Sequence, residues 1–160
     1  MGTRTSVIID APVDTVWRAV SDIEHSADMI TDIEKVEVLR RGDGGLVGFT
    51  WKETRTMFGK AAEETMTVTE YSQNSHYVTE AKSHGSLYTS RVSVREHKGR
   101  TELAMDFSVV PVTFSAKVLW CTLGFLFSGG TTKALQKDLE DIKQYVEARQ
   151  RREESKAEDG

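Results

Sequence analysis

Three residues of this sequence have types and a spacing that could support chemistry: the glutamates Glu53 and Glu64 and the arginine Arg55. Glu53 and Arg55 alternate with Phe49 and Trp51 along a predicted strand, so the four side chains share one face. The hairpin predicted after this strand places Glu64 opposite Arg55. Because an unpaired buried charge costs several kcal/mol, we expect the guanidinium to lie between the two carboxylates.

This arrangement fits two roles. In the first, Glu53, Arg55 and Glu64 form ion pairs that only stabilise the solvated end of a barrel. In the second, the sheet encloses a cavity, and these groups orient a bound apolar molecule. Replacing a buried ion pair by apolar residues is often neutral or stabilising, so the presence of these charges favours the cavity.

Acid–base catalysis on a bound carbonyl compound is the chemistry that the same residues could perform. Glu53 or Glu64 would be the base, and Arg55 and Tyr88 would polarise the carbonyl or stabilise an enolate. Arg55 would also lower the pKa of the neighbouring carboxylates, which opposes their use as a base. The sequence therefore favours binding over catalysis.

The elements that position these residues follow from periodicity. The pattern predicts a strand over residues 3–9, a helix after Pro12, a short helix near residues 26–30, and five or six antiparallel strands. A long helix is predicted over residues 113–148. Its apolar stripe contains Leu135, Leu139, Ile142 and Val146.

Turn residues predict how the strands pair. Gly59-Lys60, His84-Gly85 and Lys98-Gly99 are expected to be the central pairs of two-residue hairpin turns. The predicted partners are Val38 with Phe49, Trp51 with Val68, Arg55 with Glu64, Val68 with Thr79, Glu70 with Tyr77, Ala81 with Tyr88 and Ser90 with Phe107.

These registers give the sheet one common inner face, which is the predicted ligand lining. It consists of Phe49, Trp51, Glu53, Arg55, Glu64, Met66, Tyr77, Tyr88, Ser90, Met105 and Phe107, together with Trp120 from the long helix.

The order of elements resembles the START-like superfamily, also called SRPBCC, which has the helix-grip fold of the birch-pollen allergen. The stretches IDAPVDTVWRAVSDIEHSADMITDIEKVEVL, GFTWKETRTMFGKAAEETMTVTEY and KALQKDLEDIKQYVEA are similar to its polyketide cyclase/dehydrase-like branch. The resemblance covers about residues 3–148. It implies an α+β fold in which a curved antiparallel β-sheet wraps around a long C-terminal α-helix, with two short helices near the N-terminus.

The resemblance also implies a hydrophobic cavity between sheet and helix. Members bind lipids, sterols, hormones, polyketides or quinones, and some cyclise or dehydrate polyketide chains. The branch has no single catalytic motif, so no catalytic residue is transferred from it.

Composition limits the remaining possibilities. The 160 residues fit one domain, residues 1–148, followed by a disordered charged tail, residues 149–160. The net charge of −4 argues against nucleic-acid binding. A lone Cys121 allows no internal disulfide, and no signal sequence precedes the first strand, so we expect a cytoplasmic protein. Phosphate-binding and metal-ligand motifs are absent, so no cofactor or metal is predicted.

Residues 112–127 carry one charge, Lys117, and allow two interpretations. The segment is either a helix buried against the sheet or a helix that contacts a membrane transiently while a lipid is loaded or released. The sequence thus predicts a carrier, store or sensor of a small hydrophobic molecule. The alternatives are a polyketide cyclase/dehydratase and a protein-interaction module. Ligand identity and oligomeric state stay open.

Overall fold

The computed structural model describes residues 2–57 and 59–160, except for the side chains of residues 57, 116 and 118–128. Its elements in chain order are β1 (Gly2–Ile9), α1 (Val13–Ser21), a 3₁₀ helix (Ile23–Asp28), β2 (Ile33–Arg40), β3 (Thr50–Met57), β4 (Lys60–Ser72), β5 (His76–Ser83), β6 (Ser86–His97), β7 (Arg100–Pro111) and α2 (Phe114–Glu158).

Within the described part of the chain, seven strands form one antiparallel sheet in the order β1-β7-β6-β5-β4-β3-β2. The first strand therefore pairs with the last, and β1 and β2 are the two edges. The helix α2 packs against β1 and β7. The fold is the predicted α+β helix grip.

Two predicted turns are confirmed. His84-Gly85 and Lys98-Gly99 all have positive φ angles, between 49° and 79°, as a two-residue hairpin turn of type I′ requires. The confirmed pairs are Ala81 with Tyr88 and Ser90 with Phe107.

The registers on either side of β3 were predicted wrongly by two residues. Met57 pairs with Lys60, so Gly59, at φ 76°, is the second residue between them rather than the first residue of the turn. The observed pairs are Val38 with Trp51, Trp51 with Met66, Glu53 with Glu64 and Arg55 with Ala62. A shift of two residues leaves every side chain on its predicted face.

A register shift in β4 explains one further difference. Val68 pairs with Thr79 as predicted, but Glu70 lies opposite Val78 instead of Tyr77. The irregularity between Val68 and Glu70 adds one residue to β4, which turn chemistry at the end of the strand does not reveal.

The apolar stripe of α2 forms the centre of the core. Leu135, Leu139, Ile142 and Val146 are buried, as the helical periodicity predicted. They lie in the core with buried residues of α1 and of the inner face of the sheet. This packing fixes the second half of α2 against the sheet.

The charged tail differs from the prediction, because α2 continues through it to Glu158. Gln150 donates to Glu154 at 3.1 Å, and Arg152 donates to the carbonyl of Ala148 at 3.3 Å. Arg, Gln, Glu, Lys and Ala are strong helix formers, and such pairs support a helix without burial. Residues 151–160 are exposed.

Candidate functional site

Arg55 on β3 joins two carboxylates, as the sequence predicted. Its Nε donates to Glu53 Oε1 at 2.9 Å, and its Nη1 donates to Asp138 Oδ2 at 3.0 Å. The side chains of Arg55, Glu53 and Asp138 are 19%, 12% and 4% exposed, so the network is largely out of water. We call these three residues the buried triad.

The second carboxylate of the triad is Asp138 on α2, and the prediction that it would be Glu64 was wrong. Because the register differs by two, Glu64 lies opposite Glu53 and Arg55 lies opposite Ala62. The indole Nε1 of Trp51 donates to Glu53 Oε2 at 3.4 Å. Glu53 therefore accepts hydrogen bonds from two residues of its own strand, Trp51 and Arg55.

Asp138 is the most unusual member of the triad. Its Oδ1 is buried and has no hydrogen-bond partner among the described residues. Burial raises the pKa of Asp138, and Arg55 offsets this effect only in part. Burial opposes the charge on Arg55 too, but the two carboxylates outweigh it and raise the pKa of the guanidinium. The site thus holds a permanent cation beside a carboxyl group with a free, desolvated oxygen.

The sequence does contain a signal for Asp138, but it lies in the helix rather than in the strands and turns. Asp138 follows Leu135 by three residues and precedes Ile142 by four, so it lies on the apolar stripe of α2. A carboxylate on the buried stripe of a helix needs a cationic partner in the element against which the helix packs.

Further polar contacts attach the same part of α2 to the loop before β2. Asp141 accepts hydrogen bonds from Thr31 N at 3.0 Å and from Thr31 Oγ1 at 2.8 Å. Lys137 Nζ lies 3.1 Å from Asp32 Oδ1. Together with the triad, they anchor α2 to the β2–β3 side of the sheet.

The opposite edge of the sheet, β1, holds α2 in the same way. Lys143 Nζ donates to the carbonyl of Ile8 at 2.6 Å, and the amide of Asp10 donates to Glu147 Oε1 at 3.1 Å. Thr5 hydrogen-bonds Gln136. Residues 136–147 of α2 are therefore anchored to both sides of the curved sheet.

Three of the predicted lining residues belong to the core. Phe49 and Trp51 are buried, with ring centroids 5.8 Å apart. Tyr77 is buried against Trp17, and its hydroxyl donates to the carbonyl of Val20 at 3.2 Å. Burial, reinforced by the charge of Glu53, raises the pKa of Tyr77. The structure gives each of these side chains a packing role.

The other described lining residues keep part of their surface accessible: Glu64, Met66, Tyr88, Ser90, Met105 and Phe107. The rings of Tyr88 and Phe107 lie 6.2 Å apart. Burial raises the pKa of Tyr88, and the charge of Glu64 adds to this effect, so the phenol keeps its proton at neutral pH. These six residues, which we call the accessible lining, combine apolar surface with a few hydrogen-bonding groups.

The start of α2 carries the remaining predictions. Trp120 and most of the segment at residues 112–127 have side chains outside the described residues. Val112 and Phe114, just before them, are 58% and 82% exposed. No helix in the described part of the chain is long and apolar enough to span a bilayer.

A family model described as "Polyketide cyclase / dehydrase and lipid transport" matches residues 2–147. No curated protein matches this chain.

Solved structures give the same fold at low sequence identity. TTHA0849 from Thermus thermophilus has a TM-score of 0.76 and 15% identity, with 92% of this chain and 98% of that chain covered. A START superfamily protein from Mycobacterium smegmatis has a TM-score of 0.66 and 18% identity, covering 92% and 95%. The di-domain ARO/CYC BexL from the BE-7585A biosynthetic pathway has a TM-score of 0.75 and 18% identity, covering 92% of this chain and 50% of that chain.

Removing the cation of the triad is expected to destabilise the protein more than removing the carboxylate on α2. Arg55→Met leaves two carboxylates without their partner and should cost about 3–5 kcal/mol of unfolding free energy. Asp138→Asn leaves the pair of Arg55 with Glu53 intact and should cost less. Urea denaturation measures both. Arg95→Met, which removes a surface pair in which Arg95 is 72% exposed, should cost no more than about 1 kcal/mol. Equal losses for Arg55→Met and Arg95→Met would contradict the buried triad.

The pH dependence of stability separates Asp138 from Asp141, one turn later. The pKa of Asp138 is raised above its usual 3.8, so its contribution to the unfolding free energy falls as the pH rises from 3.8 through the raised value. Burial opposes the charge of Asp141, but the hydrogen bonds from Thr31 lower its pKa, so its contribution is lost as the pH falls below 3.8.

Urea denaturation between pH 3 and pH 7, roughly the window in which carboxylates titrate, tests this difference. The unfolding free energy of the wild type minus that of Asp138→Asn should decrease with rising pH. The corresponding difference between the wild type and Asp141→Asn should increase with rising pH. Slopes of the same sign would show that Asp138 is not held in a desolvated site.

Proposed function

From the premise that this chain belongs to the polyketide cyclase / dehydrase and lipid transport family, a branch of the START-like superfamily, we propose that it binds a small hydrophobic molecule between its sheet and α2. The molecule would lie on the accessible lining, with one end towards the buried triad. Carriage, storage or sensing of that molecule is the function that this arrangement supports best.

The observation that carries this proposal is the change in burial along the inner face of the sheet. Val92, Val94 and Leu103, which face the core, are buried, whereas Ser90, Met105 and Phe107 on the same two strands keep accessible surface. An apolar sheet face whose side chains keep accessible surface is the kind of surface that a hydrophobic ligand occupies.

The buried triad supplies polarity at one end of this surface. Asp138 Oδ1 has lone pairs without a donor among the described residues, and a hydroxyl of the ligand or a bridging water would satisfy them. Tyr88, which keeps its proton, can donate a second hydrogen bond from the accessible lining. The expected ligand is therefore mainly apolar, with a hydroxyl or carbonyl group at one end.

Loading and release of such a ligand would take place at a membrane surface. Val110, Val112 and Phe114 are all exposed at the junction of β7 and α2, and Lys117 is exposed one turn into the helix. Apolar side chains flanked by a cation favour transient contact with the interface of an anionic bilayer.

Blocking the accessible lining should weaken the binding of a neutral apolar probe. Ser90 lies on the inner face of β6, and Ser93, on the outer face of the same strand, offers a matched control. We expect Nile red to bind the wild-type protein with a blue-shifted emission, and Ser90→Trp to weaken it about tenfold or more, since overfilling a packed site costs about 1–3 kcal/mol.

Ser93→Trp should leave the Nile red affinity unchanged. An equal loss in both variants, with unchanged melting temperatures, would place the probe outside the cavity and contradict the proposal. Native mass spectrometry of the freshly purified protein then gives the mass of any molecule that co-purifies with it. A bound molecule that is present in the wild-type protein and absent from Ser90→Trp is the candidate ligand, and its mass indicates its class.

Cyclisation of a polyketide chain is a second candidate function, favoured by Asp138. A carboxylate with a raised pKa and a free oxygen can remove a proton from the carbon between two carbonyl groups. The carbon of the enolate then bonds to the carbon of a second carbonyl group, and the oxygen of that group takes up the proton from Asp138. The resulting hydroxyl group leaves as water together with a hydrogen from the adjacent carbon. Arg55 would stabilise the negative oxygen.

The two functions differ in what Asp138→Asn changes. With a linear β-polyketone thioester as substrate, a cyclase should release water faster than buffer alone, and Asp138→Asn should slow it about 10²–10⁴-fold without changing Nile red affinity. Asp141→Asn serves as the control on the same helix. Identical rates with and without the protein, measured by mass spectrometry, would reject the cyclase and leave the binding function.

A further inference from the structure

A concavity lies outside the proposed sheet–helix site, between α1, the 3₁₀ helix and the C-terminal part of α2. It has a volume of about 250 Å³ and includes Arg18 and Arg149. Arg149 is eleven residues beyond Asp138, about 16 Å along the helix. We call this concavity the helical cleft, and it shares no lining residue with the buried triad.

Two guanidinium groups in this cleft have no carboxylate partner among the described residues. Arg18 Nη2 makes only a long hydrogen bond to Thr15 Oγ1, at 3.5 Å. Arg149 turns towards Tyr145, donating to its hydroxyl at 3.3 Å, with the guanidinium carbon 5.7 Å from the ring centroid. In the described part of the chain, no carboxylate oxygen lies within 4.0 Å of either group. The same is true of the exposed Arg100, Arg151 and Arg152, whereas Arg4, Arg40, Arg41, Arg55, Arg91 and Arg95 each have at least one carboxylate partner.

One of the two acidic residues of the cleft already has a partner within it, and neither is paired with an arginine of the cleft. Asp22 is occupied by His25, whose Nδ1 lies 2.8 Å and 3.0 Å from its two oxygens. The hydrogen bond and the charge of Asp22 raise the pKa of His25, and the pair changes from negative to neutral when the histidine takes up a proton. Glu153 is the other carboxylate, on the exposed end of α2.

The floor of the cleft is apolar. Ala19, Met29 and Val146 line it together with the ring of Tyr145. Val146 and Met29 belong to the buried core, so this floor is held by the packing of the domain. Its volume is below the roughly 300–1,000 Å³ of sites for drug-sized ligands, which suits a ligand of about one ring.

We propose that the helical cleft binds a small carboxylate attached to an apolar ring. The ring lies on Val146, Met29 and the face of Tyr145, and the carboxylate accepts hydrogen bonds from Arg18 and Arg149. A guanidinium and a carboxylate match in charge and in geometry, which makes this pairing stronger than a neutral hydrogen bond. The proposal does not depend on what the sheet–helix cavity holds.

Benzoate is the probe, and benzyl alcohol is its uncharged counterpart. In an amide ¹H–¹⁵N NMR titration of the full chain, benzoate should shift the resonances of α1 and of residues 145–149, and benzyl alcohol should not. Arg18→Gln and Arg149→Gln should each weaken benzoate about tenfold, the loss expected for one charge-assisted hydrogen bond. Glu153→Gln should strengthen it, because a repelling carboxylate is removed.

Arg151→Gln, on the face of the same helix opposite the cleft residues, is the control and should leave the affinity unchanged. An equal loss in Arg151→Gln, equal shifts with benzyl alcohol, or no shifts at millimolar benzoate would each overturn the proposal. Shifts confined to Trp51, Tyr88 and their neighbours would also overturn it and would assign benzoate to the sheet–helix cavity. Because Nile red carries no charge, its binding reports on that cavity separately.

Discussion

The position of α2 depends on the requirement that the charge of Arg55 be paired inside the protein. Glu53, two residues away on the same strand, supplies one partner, and Asp138, 83 residues away in sequence, supplies the other. A helix that must present residue 138 to β3 has its rotation fixed about its own axis. The same rotation directs Leu135, Leu139 and Ile142 to the core, so the ion pair and the apolar stripe specify one orientation of α2.

The second part of the constraint comes from the edges of the sheet. An open seven-stranded sheet exposes unpaired edges, and helix or loop coverage is one way in which proteins protect them. Here β1 and the β2–β3 side both make polar contacts with residues 136–147 of α2. The helix thus connects the two sides of the curved sheet at one end, and the accessible lining lies towards the other part of the inner face.

The sequence predicted the element order, the inner face and the ion pair of Glu53 with Arg55, because strand alternation, helical periodicity and turn residues act locally. It did not predict Asp138 as the partner of Arg55, since that contact exists only after α2 docks on the sheet. The residues of the accessible lining were identified by alternation alone, yet alternation could not separate them from Phe49, Trp51 and Tyr77, because burial depends on what covers each position. The helical cleft was also missed, since Arg18 and Arg149 meet only when α1 and α2 pack together.

The irregular pairs of the sheet bear on the lengths of its strands. A shift of the pairing register by two residues leaves each side chain on its own face, whereas a shift by one residue exchanges the inner and outer faces of the strand. The extra residues within β2, between Ile33 and Lys35 and between Val38 and Arg40, and within β4, between Val68 and Glu70, are positions where a single residue is accommodated without that exchange. At these positions a strand is one residue longer than its partner while the residues on either side keep their faces, so the inner lining does not require paired strands of equal length.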